Sequence, residues 1–119
     1  MWVGVVGSRD YPDLSLVREV VESLPIGSTV VSGGARGVDS TAEFAARRRG
    51  LPVVVHHAKW RRPDGSTDSG AGFARNQLIV NDIETLYAFQ HNKSTGTQDT
   101  INRAIRKGIP VVLYESDGE

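Results

Sequence analysis

Cysteine is absent from the 119-residue chain, which removes disulfides, thiolate nucleophiles and cysteine metal sites together and suits a reducing compartment. Net charge is lacking as well. Lysine plus arginine and aspartate plus glutamate number 14 each, so no global field draws the protein to DNA or to an acidic membrane, and a nucleic-acid role would need a local patch. Nowhere does an apolar run approach the ~20 residues of a membrane span, and the valine-rich start lacks the basic region and full hydrophobic segment of a signal peptide. A cytoplasmic protein with no membrane partner is the expectation. Repeats, low-complexity tracts and an interdomain linker are missing too. With 39% hydrophobic residues, the chain is long enough for one core and too short for two. Residues 1–115 therefore read as one domain and 116–119 as a flexible tail.

What the chain does have is valine in short runs. β-Branched segments occur at Trp2 to Val6, Thr29 to Val31, Val53 to His56, Thr85 to Phe89 and Pro110 to Tyr114, with helix-like segments between them. This alternation predicts an α/β domain with a parallel sheet covered on both faces. After Asp13, a natural N-cap, Val17, Val20, Val21 and Leu24 fall at helical spacing until Pro25 and Gly27 stop the segment. Val38, Ala42, Ala45 and Ala46 repeat the pattern up to Gly50, and Ile101, Ala104 and Ile105 mark a last helix ending at Gly108. The third crossover is less regular. Ala71 to Val80 reads as a helix with Ala74 and Leu78 inward, whereas His57 to Gly70 is polar and is the longest candidate loop, a possible mobile lid.

Three polar, glycine-bearing loops each follow a valine run or its equivalent: Gly7-Ser8-Arg9-Asp10, Ser32-Gly33-Gly34-Ala35-Arg36-Gly37-Val38-Asp39, and Asn92-Lys93-Ser94-Thr95-Gly96-Thr97. A strand that runs through small residues into a helix leaves free N–H groups at the helix start, where the dipole favours negative charge. Such loops suit phosphate or ribose oxygens. In a doubly wound sheet, ligands sit beyond the carboxyl ends of the strands where strand order reverses. With the first strand central and the second and fourth beside it, all three loops would line one crevice.

The second loop has neither the G-x-G-x-x-G spacing of dinucleotide folds nor the Lys-Ser/Thr ending of a P-loop. It does hold the ingredients of an anion cradle: glycines that admit close approach, the Ser32 hydroxyl and the Arg36 guanidinium. The plainer alternative is a tight turn, with Ser40-Thr41-Ala42-Glu43 as a capping box. On the cradle reading, Gly34→Val should abolish binding and leave the fold largely intact. Arg9 is placed to meet a phosphate or a base, Ser94, Thr95 and Thr97 offer three hydroxyls beside Gly96, and Arg75-Asn76 could bind a phosphate and a sugar hydroxyl. Each of these also has a bland reading as solvated surface or helix cap. His56, His57 and His91 match no familiar ligand spacing, so no metal site is expected. Arg47-Arg48-Arg49 and Lys59-Trp60-Arg61-Arg62 are local basic clusters, the second with an aromatic able to stack on a base. No nucleophile with a nearby base can be read. Asp10, Asp39, Glu43 and Asp99 are the carboxylates near the loops, able to orient a ribose or act as a base, or to serve as caps and ion-pair partners.

The segment Ser-Gly-Gly-Ala-Arg-Gly-Val-Asp at 32–39 resembles the SLOG superfamily, which joins the DNA-processing protein DprA (Smf) with the LOG cytokinin-activating phosphoribohydrolases. Gly7-Ser8-Arg9, Arg75-Asn76 and Gly96-Thr97 fall where its small stand-alone YspA-like branch carries its motifs. The resemblance covers almost the whole chain. It implies a single Rossmann-like three-layer domain with a five-stranded parallel sheet of order 3-2-1-4-5. It further implies nucleotide-derived ligands such as ADP-ribose or NAD, and a possible homodimer or higher homo-oligomer. LOG enzymes carry P-G-G-x-G-T-x-x-E with a catalytic Glu. Here Lys93 and Ser94 stand at the paired glycines and Thr100 at the Glu, with Asp99 a poorly directed substitute.

Three functions follow in order. The first is a sensor or sequestering domain for a nucleotide-derived ligand, held by Gly7, Ser8, Arg9, Ser32, Gly33, Gly34, Ala35, Arg36, Gly37, Asp39, Arg75, Asn76, Ser94, Thr95, Gly96 and Thr97. The second is an N-glycosidic nucleotide hydrolase with Asp39, Glu43 or Asp99 as its catalytic carboxylate. The third is single-stranded nucleic-acid binding of the DprA kind, the lesser candidate on charge grounds.

Overall fold

A computed structural model describes residues 1–116. Five strands and four helices alternate: β1 (Trp2–Gly7), α1 (Leu14–Glu22), β2 (Thr29–Ser32), α2 (Val38–Arg48), β3 (Val53–Val55), α3 (Ala71–Asp82), β4 (Thr85–His91), α4 (Thr95–Lys107) and β5 (Val111–Ser116). Every strand pair is parallel and the sheet order is β3-β2-β1-β4-β5, as the alternation and the resemblance predict. Ser116, expected in the flexible tail, is the last residue of β5 and pairs with His91. The rest of that tail, 117–119, lies outside the described residues.

The valine runs are explained by double burial. A parallel strand covered on both faces has no polar side, so its pattern is a continuous apolar run. In β1, Val3 and Val5 enter a core with Val17, Val21, Val38, Ala42 and Phe89, beneath α1 and α2. Val6 enters a second core with Ile79, Val80, Leu86, Ile101 and Ala104, beneath α3 and α4. From β1 the chain steps outward to β2 and β3 with its helices on one face. It then crosses back to β4, on the other side of β1, with its helices on the opposite face. Strand order thus reverses at β1, and the loops after β1, β2 and β4 meet there.

Local chemistry sets the helix ends. Asp13 caps α1 by accepting from the Leu16 N–H, and Gly108, left-handed at φ 80°, ends α4. The capping box expected at Ser40 to Glu43 does not form. Because α2 begins two residues earlier, at Val38, Ser40 donates to the Gly37 carbonyl and Glu43 accepts from Ser32. The inward face of α3 also differs from expectation. Ala74 and Leu78 are exposed, and Asn76, Ile79 and Val80 are buried. Ile83, just past the helix end, is buried with them. Its side chain lies over Gly4 so closely that a Cβ there would be 2.7 Å from Ile83 Cδ1.

Candidate functional site

At the carboxyl ends of β1, β2 and β4 lies a cavity of about 580 Å³. Its walls are the β1 loop (Gly7 to Asp10), the start of α2 with its loop (Ala35, Arg36, Asp39), α3 (Gly72, Phe73, Arg75, Asn76), the start of α4 (Ser94, Gly96, Thr97, Thr100), and Trp60 with Ser69 from the long crossover.

The β1 and β4 loops are joined through hydroxyls. Ser8 Oγ accepts from the His91 N–H at 2.9 Å and shares a 2.7 Å hydrogen bond with Ser94 Oγ. Ser94 is the N-cap of α4 yet makes no side-chain cap bond, because its hydroxyl is turned to Ser8. Asn92 and Lys93, both left-handed at φ 50° and 53°, turn the chain into that helix. The N–H groups of the first turn of this 13-residue helix have no carbonyl within the helix to bond. Gly96 lies among them in the cavity wall, and no atom comes within 4 Å of where a Cβ would stand.

The β2 loop is built differently. Each of its glycines is enclosed by protein: a Cβ on Gly33 would be 2.6 Å from an Arg75 guanidinium nitrogen, on Gly34 2.6 Å from the His57 ring, and on Gly37 2.5 Å from the Arg9 carbonyl. Gly34 and Gly37 are left-handed at φ 73° and 81°. Gly34→Val would therefore distort the loop itself, which corrects the expectation that it spares the fold. Ser32 is buried and donates to Glu43 at 2.6 Å, away from the cavity lining.

Behind this loop, Arg75 donates to the Gly33 carbonyl and, through Nε, to Asn76 Oδ1 at 3.0 Å. Asn76 in turn donates to the Gly96 carbonyl (3.2 Å) and to Asp99 (3.1 Å). The Arg75-Asn76 pair thus ties the β2 loop to the start of α4 across the cavity. Burial lowers the Arg75 pKa, against the pull of Asp39.

Asp39 stands in the first turn of α2, 5% exposed. Its Oδ2 accepts from the Ala35 N–H at 3.3 Å, while Oδ1 is buried with no hydrogen-bond partner. Burial pushes its carboxyl up to about 7, opposed by the Ala35 N–H and by Arg75. The other two candidate carboxylates are engaged elsewhere. Glu43 accepts from Ser32, and Asp99 accepts from Asn76 and, at 2.7 Å, from Arg103.

The long crossover is not featureless. Residues 60–68 fold into a small hairpin, with Asp68 N–H bonded to the Trp60 carbonyl, an antiparallel bridge between Arg61 and Thr67, and Arg62 N–H bonded to the Ser66 carbonyl. It sets the Trp60 ring against Gly72, 3.0 Å from where a Cβ would be. Trp60 and Phe73, each nearly half exposed, form the aromatic side of the cavity.

Of the residues expected to bind ligand, Gly7, Ser8, Arg9, Ala35, Arg36, Asp39, Arg75, Asn76, Ser94, Gly96 and Thr97 line the cavity. Ser32, Gly33, Gly34, Gly37 and Thr95 do not, the first four because they shape the loop behind the wall. Phe73, Ser69, Gly72 and Thr100 were missed as lining residues. An apolar Phe73 one turn before Asn76 was the available signal. Thr100, at the position of the LOG glutamate, is 2% exposed and donates to the Gly96 carbonyl at 3.2 Å. His56 pairs with Asp82 at 2.6 Å and His91 Nδ1 lies 2.9 Å from the Ser116 carbonyl. Among the described residues no group of three or more His, Asp or Glu is placed to hold a metal ion, and no helix is long and apolar enough to cross a membrane.

The sheet order and the crevice define a Rossmann-like domain with a cavity at its topological switch point. Residues 1–62 match the YspA, cpYpsA-related SLOG family, and the chain belongs to that family. Gene 61 protein of Mycobacterium phage D29 is 30% identical over 120 residues, spanning 92% of this chain and 93% of the phage protein. Among solved structures, DNA processing protein A (DprA) from Streptococcus pneumoniae superposes with a TM-score of 0.82 at 22% identity over 93% of this chain. DNA processing protein A from Helicobacter pylori gives 0.67 at 20% identity over 95% of it. The match spans 49% of the first DprA chain and 64% of the second, so the shared part is this fold alone.

Proposed function

We propose that the domain binds a nucleotide or nucleotide-derived ligand of the AMP, ADP-ribose or NAD class, as a sensor or sequestering protein. One observation carries the reading: a single cavity joins an open helix start at Gly96, the guanidinium groups of Arg9 and Arg36, and two aromatic faces, Trp60 and Phe73. Phosphate is placed at the α4 start, where free N–H groups and the dipole act together. The base is placed against Trp60 and Phe73, which give stacking area without base-specific hydrogen bonds. A volume of about 580 Å³ is that of a small-ligand pocket.

The hydrolase alternative narrows to Asp39 as its carboxylate. Thr100 occupies the glutamate position, and Glu43 and Asp99 are held in hydrogen bonds outside the cavity lining. A second reading has its own support: the Helicobacter pylori DprA structure concerns a single-stranded DNA binding mode, and here exposed Arg61 and Arg62 directly follow Trp60, which lines the cavity. A thermal-shift screen with AMP, ADP-ribose, NAD and a short single-stranded oligonucleotide, each assayed afterwards for product, separates these readings. The proposal expects a shift with an intact mononucleotide or dinucleotide. Ligand at about 100 times its dissociation constant adds ~2.7 kcal/mol. A steeply salt-dependent shift with the oligonucleotide alone would move the assignment to nucleic acid.

A further inference from the structure

The phosphate and base subsites leave Asp39 unused. Asp39 is among the residues that line the cavity and is only 5% exposed, and its Oδ1 is buried with no partner, although Oδ2 is fixed by the Ala35 N–H. A buried carboxylate oxygen without a donor is costly unless a ligand supplies one. The donor must be neutral, because Arg9, Arg36 and Arg75 already surround the cavity with positive charge and disfavour a cation. A bare metal ion is disfavoured too, since no second and third acidic or imidazole ligand stands beside Asp39 among the described residues.

Resting on the nucleotide reading, we infer that Asp39 Oδ1 accepts a hydrogen bond from a ribose hydroxyl, so that the site selects ribonucleotides over deoxyribonucleotides. The connectivity of a nucleotide favours sugar over base. Ribose joins the phosphate to the base, and Asp39 belongs to the α2 start, away from the hairpin and outer α3 surface that supply the aromatic faces. A single free oxygen matches a hydroxyl rather than the paired donors of a guanidinium.

The chemistry also dictates what an isosteric change does. In Asp39→Asn the amide oxygen must face the Ala35 N–H, where Oδ2 stands now, so the amide NH₂ falls at the Oδ1 position. The hydroxyl must then accept from a neutral NH₂ instead of donating to a charged oxygen, and the charge-assisted part of the bond is lost. Hydrogen bonds to charged groups carry discrimination of about 10- to 100-fold. Isothermal titration of the wild-type chain with AMP, 2′-deoxy-AMP and 3′-deoxy-AMP at pH 8, where the Asp39 carboxyl is ionised, requires no variant. The expected result is that AMP binds about 10- to 100-fold more tightly than at least one deoxy analogue, and that Asp39→Asn reduces this ratio. Equal wild-type affinities for all three would overturn the inference and leave nucleotide binding standing. Undiminished discrimination in a folded Asp39→Asn protein would overturn it as well. No binding of any of the three would instead overturn the nucleotide reading on which it rests.

Discussion

Two glycine-bearing loops, 32–37 and 92–97, enter helices at the same end of the sheet and use glycine for opposite ends. In the β2 loop the glycines are filled spaces: Gly33 faces Arg75, Gly34 faces His57 and Gly37 faces the Arg9 carbonyl, all closer than a methyl group allows. In the β4 loop Gly96 lines the cavity with open space where a Cβ would stand. Glycine in the first loop lets the chain fold, and glycine in the second leaves room for something to approach the backbone. Sequence alone shows the residue type, and only the neighbours show which role it has.

Substituting the enclosed glycines should have the largest effect and tests the comparison most severely. Gly34→Val combines a left-handed backbone, about 1–2 kcal/mol for a side chain, with overpacking against His57, about 1–3 kcal/mol. Destabilisation of about 3 kcal/mol or more is expected by urea denaturation. A variant as stable as wild type would show that the loop has space, and the distinction between the loops would fail.

Asp39 sharpens the comparison, because it ties the enclosed loop to the cavity. Its native pKa of about 7 lies above the ordinary carboxylate value of 3.8. Between those values the folded protein keeps a proton that the unfolded chain has released, so stability falls as pH rises from about 4 to about 7. The cost is fully present above pH 7. At about 1.4 kcal/mol per pH unit, the gap between 3.8 and about 7 sets a ceiling of about 4 kcal/mol, with the attraction of Arg75 already included. Asp39→Asn should remove that fall and be more stable than wild type at pH 8 but not at pH 4.5. Parallel stability curves for the two proteins would refute the assignment.

Gly96→Ala should have the smallest effect, with opposite sign to the glycines of the first loop. A helical position with open space around Cβ gains about 0.5–1 kcal/mol from alanine. Loss of stability would place Gly96 with the enclosed glycines.

The strands were legible because double burial leaves valine runs that nothing else in the chain imitates, and Asp13 and Gly108 announced their helix ends by chemistry. The α3 register was not legible. Its apolar residues fall on more than one face, and the burial of Ile79 and Val80 instead of Ala74 and Leu78 goes with Ile83 packing on Gly4, a contact 79 positions apart in sequence. The hairpin at 60–68 escaped notice because backbone hydrogen bonds and one bridge hold it, without an apolar pattern. The site was legible as a cluster of loops, while the division of labour within it was not. Ser32 and the β2 glycines look like ligand contacts in sequence and stand behind the wall in space, whereas Phe73 and Thr100 do the reverse.

The most direct test of the account is titration calorimetry of AMP and ADP-ribose into wild type and Gly96→Val, with thermal melts of both proteins alongside. The account predicts that wild type binds at least one of the two and that Gly96→Val melts within a few degrees of wild type yet loses at least about tenfold in affinity, equivalent to ~1.4 kcal/mol. Equal affinity in a folded Gly96→Val protein, or no binding by wild type, would contradict it.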